Sequence, residues 1–187
     1  MRVPAFLLNL LTAASAAALV TACSAPPVPL QNAKTAPEAV TNLNSSGEFF
    51  ADDTAAIAYD RKLAPEGAQA SLSIESSAGQ TRTSLVVEGL LPDRAYGAHL
   101  HTKPCGKKPD EAGPHFQHEQ GEISPESEVW LDFTTDAEGA ARSSVRNDWA
   151  FDGAQLPGSL VIHALPTETS GPQVGQAGSR VACLTLR

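Results

Sequence analysis

Five histidines, three cysteines and a single methionine are all that 187 residues contain of side chains that ligate metals through imidazole nitrogen or sulfur. Basic residues are also scarce: thirteen against twenty-one acids, a formal charge of −8. That balance excludes the broad cationic surface by which proteins hold nucleic acid or adhere to anionic lipid. From residue 49 onward no window of a dozen residues keeps a 3.6-residue apolar stripe, AEGAARSSV coming nearest, so long amphipathic helices are excluded as well. Long apolar runs are missing with one exception, at the start of the chain.

That exception is VPAFLLNLLTAASAAALV, residues 3–20, behind the lone basic residue Arg2. An apolar core followed by small residues and an early cysteine reads as a secretory signal peptide over residues 1–22. The order Leu19-Val20-Thr21-Ala22-Cys23 resembles a bacterial lipobox, with Cys23 as the lipidated first residue of the mature chain. An uncleaved anchor is the alternative, since the run is about long enough to span a bilayer when tilted. Both readings place the rest of the chain outside the cytoplasm, on the outer face of a cell membrane. Loss of Arg2 with the leader takes the charge from −8 to −9. Residues 23–48 are rich in Pro, Ala, Asn and Ser without periodic apolar positions, the composition of a flexible tether. The folded domain is then expected over residues 49–187, long enough for its own core.

With Cys23 assigned to the lipid, Cys105 and Cys183 remain, and a disulfide is the expectation in an exported domain. Free thiols or thiolate metal ligands are the alternatives. A bridge would close a loop of about 78 residues, worth about 4 kcal/mol in the chain-entropy model.

Eight segments of period-two character succeed one another with turn signals about every ten residues: FADDTAAIAYD, AQASLSIESSA, QTRTSLVVEGLL, LPDRAYGAHLHT, EVWLDFTTD, GAARSSVRN, GSLVIHAL and SRVACLTLR. They predict an all-β fold, an eight-stranded antiparallel sandwich or barrel. Two long stretches interrupt them, 102–127 and 166–178, and long loops on a β scaffold are where function concentrates.

The histidines gather around those interruptions. His99 and His101 stand two apart on a predicted strand, so their side chains leave one face while Ala98 and Leu100 face the core. An H-x-H pair is found on ordinary strands too, and alone it is a weak metal signal. His115 and His118 lie in the first long loop and His163 ends a strand before the second, which uses up the histidines. Imidazole-rich sets suit copper and zinc, and copper where the ion must change oxidation state.

The motifs GAHLH, Cys105, AGPHF, VIHAL and AGSRVAC stand in the order found in the copper/zinc superoxide dismutases, and over roughly residues 52–187 the chain resembles that family. The resemblance implies an eight-stranded Greek-key β-barrel. It implies copper held by His99, His101, His115 and His163, a Cys105–Cys183 disulfide, and Arg180 beside the metal to attract the superoxide anion. It implies dismutation of superoxide to O2 and H2O2, with His115 delivering a proton. Taken alone, Arg180 reads equally as a surface arginine on the last strand.

The resemblance fails at zinc. In the family the histidine matched by His115 also bridges to zinc, held by two further loop histidines and an aspartate. Here His118 is the one histidine left in the loop, and the aspartate position falls near Val129. Zinc is therefore expected to be absent, as in the copper-only members, whose second loop is also short. Sixteen residues separate His163 from Arg180. Without zinc the far nitrogen of His115 needs another partner, and Glu119, Glu122 and Asp132 are the candidates. His118 is a solvated loop residue, a peripheral ligand or a relic of the second site. Lys103, Lys107 and Lys108 could lend positive charge to the copper mouth or simply form a solvated loop. The expected function is an exported, lipid-anchored copper superoxide dismutase. The alternative is an envelope lipoprotein that binds and buffers copper with little turnover, and the sequence leaves the oligomeric state open.

Overall fold

A computed structural model describes residues 40–187. The expected signal peptide, the lipidation site Cys23 and most of the tether lie outside the described residues. Nine strands occur among them: β1 (Thr41–Glu48), β2 (Ala56–Ala58), β3 (Gln69–Ser77), β4 (Gln80–Glu88), β5 (Ala95–His101), β6 (Phe133–Thr134), β7 (Ala141–Asn147), β8 (Ser159–His163) and β9 (Arg180–Thr185). They form two antiparallel sheets, ordered β1-β3-β4-β7 and β2-β9-β8-β5-β6. β4 and β7 are neighbours in one sheet although β5 and β6, between them in sequence, belong to the other; this is a Greek-key crossover.

The sheets are all-β and face each other across one core, as the alternation requires. Leu72, Ile74, Leu85 and Val87 point inward from one sheet, and Leu100, Leu160, Ile162 and Leu184 from the other. Each such side chain, fully buried, stabilises by about 1.5–3 kcal/mol. Alternation then sends His99, His101 and His163 to the outer face of the second sheet, where the register sets Gly97 opposite His163. A β-bulge between Ile162 and His163 shifts the β8–β9 register so that His163 pairs with Arg180. Bulges of this kind re-aim side chains next to functional sites.

Three segments differ from expectation. β1 falls inside the stretch read as tether, so the fold begins by residue 41 rather than 49. TNLNSSGE has little apolar pattern of its own; it becomes a strand through eight register pairs with β3. The strand expected over FADDTAAIAYD shrinks to Ala56–Ala58, because Asp53 Oδ1 accepts the Ala55 N–H at 2.8 Å and turns the chain. EVWLDFTTD contributes only Phe133–Thr134 to the ladder.

Candidate metal centre

The edge of β5 away from β8 collects the site. β6 covers it at Ala95 and Tyr96, Trp130 bridges His99, and His115 bridges His101. The Leu131 N–H donates to the Ala98 carbonyl at 2.7 Å and the Phe116 N–H to the Leu100 carbonyl at 2.8 Å. Two parts of the β5–β6 connection are thereby stitched to one strand. The Gly97 N–H ties the second long connection to it by donating to the Leu165 carbonyl at 2.7 Å, and residues far apart in sequence meet on its outer face. Gly97 makes room for the second loop: a Cβ there would lie 2.6 Å from Ala177 Cβ and 2.7 Å from the Leu165 carbonyl oxygen. Beneath the first loop, the Cys105–Cys183 disulfide packs with Ile57, Ala112 and Val161.

His99, His101, His115 and His163 each offer one ring nitrogen to a common space, all four within 4.8 Å of one another. Among the described residues they are the one group of three or more potential ligands close enough to share an ion. The opposite nitrogen of every ring is held by an oxygen. His101 Nδ1 donates to the Gly113 carbonyl at 2.9 Å and His163 Nδ1 to the Gly178 carbonyl at 3.2 Å. His115 Nδ1 donates to Glu128 Oε2 at 2.8 Å. His99 Nε2 lies 2.6 Å from Thr167 Oγ1, whose hydroxyl donates to Asp132 Oδ1 at 2.7 Å and so must accept from the imidazole.

These partners fix the tautomers and leave lone pairs on His99 Nδ1, His101 Nε2, His115 Nε2 and His163 Nε2. His99 Nδ1 lies 2.9 Å from His115 Nε2, and His101 Nε2 lies 3.3 Å from His163 Nε2. Lone pairs aimed at one another at such distances repel unless a cation shares them. The four-nitrogen donor set, with its outer nitrogens anchored to oxygen, fits one transition-metal ion. Burial, reinforced by the neighbouring imidazoles, holds His99 well below the usual histidine range and His101 down at about 2. Burial likewise brings His163 to about 4, against the hydrogen bond to Gly178. The rings are therefore neutral, the form that ligates metals.

Arg180 stands beside this group. Its Nη1 donates to the Pro109 carbonyl at 2.6 Å, and its Nη2 to the Gly113 carbonyl at 2.7 Å, the oxygen that also accepts from His101. Gly113 can take this position because its φ is +76° and a Cβ would meet Thr102 Oγ1 at 2.5 Å. Above the metal group is an open cleft of about 640 Å³, lined by His115, His163, Arg180, Gln117, Ile123 and Val174 among others. Lys103, Lys107 and Lys108 are not among its lining residues, so Arg180 is the cation of that wall.

The partner of His115 is Glu128, not Glu119, Glu122 or Asp132. Glu119 lies 3.7 Å from His118, Glu122 accepts from Ser124, and Asp132 binds Thr167 and thereby orients His99. Burial opposes the charge on Glu128, but hydrogen bonds from His115, Trp130 and Gln117 outweigh it and hold the carboxyl below its ordinary range. Glu128, Trp130 and Asp132 share one face of an extended segment whose other face buries Val129, Leu131 and Phe133. Alternation in EVWLDF marked that face, but not which acid meets which histidine. His118 is outside the metal group: its ring stacks on Trp149 with centroids 4.6 Å apart.

A two-sheet β scaffold bearing four convergent imidazoles beside an arginine, under an open cleft, defines a β-sandwich protein with a metal-binding type of site. Residues 68–185, more than half of the chain, match the copper/zinc superoxide dismutase (SODC) family, and the chain belongs to it. No curated protein matches the sequence. Among solved structures it is similar to the Cu/Zn superoxide dismutase from Brucella abortus, at 18% identity and a TM-score of 0.55, over 80% of this chain and 100% of that one. It is similar also to the clock protein EA4, at 18% identity and a TM-score of 0.57, over 78% of this chain and 92% of that one. At such identity the two structures speak for the fold alone.

Proposed function

We propose that this protein is an exported, lipid-anchored superoxide dismutase that uses copper without zinc. The observation that carries the reading is the convergence of four imidazole lone pairs beside Arg180 at the floor of an open cleft. His99, His101, His115 and His163 would hold the ion. Copper bound there supplies one-electron chemistry, by which one superoxide is oxidised to O2 and another reduced to H2O2.

The chain's own residues do the rest. A guanidinium has five N–H donors; two of Arg180's are committed to carbonyls, which hold it rigid, and the others can receive a small anion. His115 is the least buried of the four rings, so its Nε2 is the ring nitrogen best able to take a proton from solvent and pass it to a reduced substrate. Its Nδ1, the nitrogen through which a bridged second ion would be held, already donates to Glu128. That hydrogen bond, together with the distance of His118 from the group, supports the copper-only reading. Export and lipidation rest on the apolar leader and on Thr21-Ala22-Cys23. The small solvent-exposed substrate suits an envelope enzyme, since superoxide is an anion and crosses bilayers poorly.

The test is to load the purified protein with copper and with zinc, measure the metal retained, and monitor superoxide decay. One copper, no zinc and rapid turnover is the expected result. Stoichiometric copper with negligible turnover would replace this reading with copper buffering.

A further inference from the structure

We infer that Trp130 is a redox relay that draws oxidising equivalents away from the metal-binding histidines, an inference that rests on the copper reading above. Trp130, on the extended segment beside β5, is the bridge partner of His99, so both side chains leave the same face of the second sheet. Their ring centroids are 6.2 Å apart. The indole Nε1–H donates to Glu128 Oε2 at 2.8 Å, and that same oxygen accepts from His115 Nδ1 at 2.8 Å. The indole thus lies against one ring of the metal group and is joined to another through a single carboxylate oxygen. It is only partly buried.

Among the described residues no competing sink lies against the metal group. Methionine and free thiols are ordinarily oxidised first, but Met1 is the one methionine and both domain cysteines are paired. Tyr59 is tied to the Gly106 carbonyl, and Tyr96 lies in the core against Phe133. Trp149 stacks with His118, Phe116 and Phe151. Among the described residues, Trp130 is the easily oxidised ring packed against the metal group.

The proposed reaction makes hydrogen peroxide. One peroxide, oxidised to O2 and two protons, supplies two electrons. Each electron splits a further peroxide in this pocket into hydroxide and a hydroxyl radical, and the two protons neutralise the two hydroxides. Trp130 reduces one such radical to hydroxide with one electron. Its Nε1 proton moves along the existing hydrogen bond to Glu128 and then neutralises the hydroxide as water, leaving a neutral tryptophanyl radical. Combination with a second hydroxyl radical forms one C–O bond, and the side chain ends one oxygen atom heavier.

The experiment treats copper-loaded protein, its metal content measured beforehand, with increments of hydrogen peroxide. Oxidised residues are mapped by peptide mass spectrometry, and freeze-quenched samples are read by electron paramagnetic resonance. Oxygen is expected first on Trp130, with Trp149 spared and a tryptophanyl radical signal; metal-free protein should show neither. In Trp130→Phe, oxygen should be found on His99 and His115, with copper lost severalfold faster for each peroxide added. Histidines oxidised before Trp130 in the native protein would overturn the relay while leaving the copper reading intact, and this comparison needs no variant. Equal copper loss in Trp130→Phe and native protein would overturn it as well. A protein that retains no copper would overturn both.

Discussion

Glu128 is 1% exposed and receives hydrogen bonds from His115, Trp130 and Gln117, which makes it the anionic counterpart of the metal group. Glu128→Gln keeps the shape and removes the charge that makes His115 a strong ligand. Copper affinity should weaken roughly 10- to 100-fold, the usual cost of disturbing such a partner, as read by competition with a chelator. Arg180→Ala acts differently. It should leave copper bound, cut dismutation by about 10-fold or more, and flatten its dependence on ionic strength; loss of copper as well would mean that the guanidinium holds the site together rather than guiding the anion. At this scale the sequence was informative where chemistry is rare. Histidine is scarce enough that its five positions pointed to the two long loops, and the family resemblance then implied which four would be ligands. Carboxylates are plentiful, so Glu128 could not be told from Glu119, Glu122 or Asp132 until the loop was seen lying along β5.

The elements were legible where alternation is strong, as in β3 and β4, and hidden where a neighbour imposes the strand. β1 has one sizeable apolar residue, Leu43, packed against the core from a partly buried position. Its extended form comes from the β3 ladder, which local composition does not reveal. A chain beginning at residue 49 should therefore be less stable than one beginning at 40, by about 1–2 kcal/mol for the lost Leu43 contact alone. For a domain of this size that is a drop of roughly 2–8 °C in thermal midpoint. The uncovered β3 edge should also promote self-association, visible in size-exclusion chromatography. An unchanged midpoint would show that β1 contributes nothing to the fold. The bulge that sets His163 opposite Arg180 was equally invisible, since a one-residue register shift leaves no mark on composition.

At the scale of the whole molecule, folding without metal buries three neutral imidazoles whose proton affinity is lowered in the native state. Between the folded values and the ordinary value of 6.5, the unfolded chain binds more protons than the native one, so stability rises with pH. The metal-free protein should keep this contribution in full above 6.5 and lose it progressively as pH falls through about 4, where His163 titrates, toward about 2 for His101. Thermal midpoints of the metal-free protein measured downward from neutral pH should fall steadily; a flat profile would mean that the rings are more solvated than the fold implies. The same burial that costs stability in acid keeps the three neutral rings of His99, His101 and His163 ready for an ion.

That readiness is tested most directly by metal analysis and pulsed electron paramagnetic resonance on protein loaded with cupric ion in the presence of excess zinc. The account predicts one copper per chain, no retained zinc, and a cupric signal coupled to four imidazoles that loses one of them in His163→Ala. A second metal bound per chain, or a copper signal from oxygen ligands that is unaffected by that substitution, would contradict it.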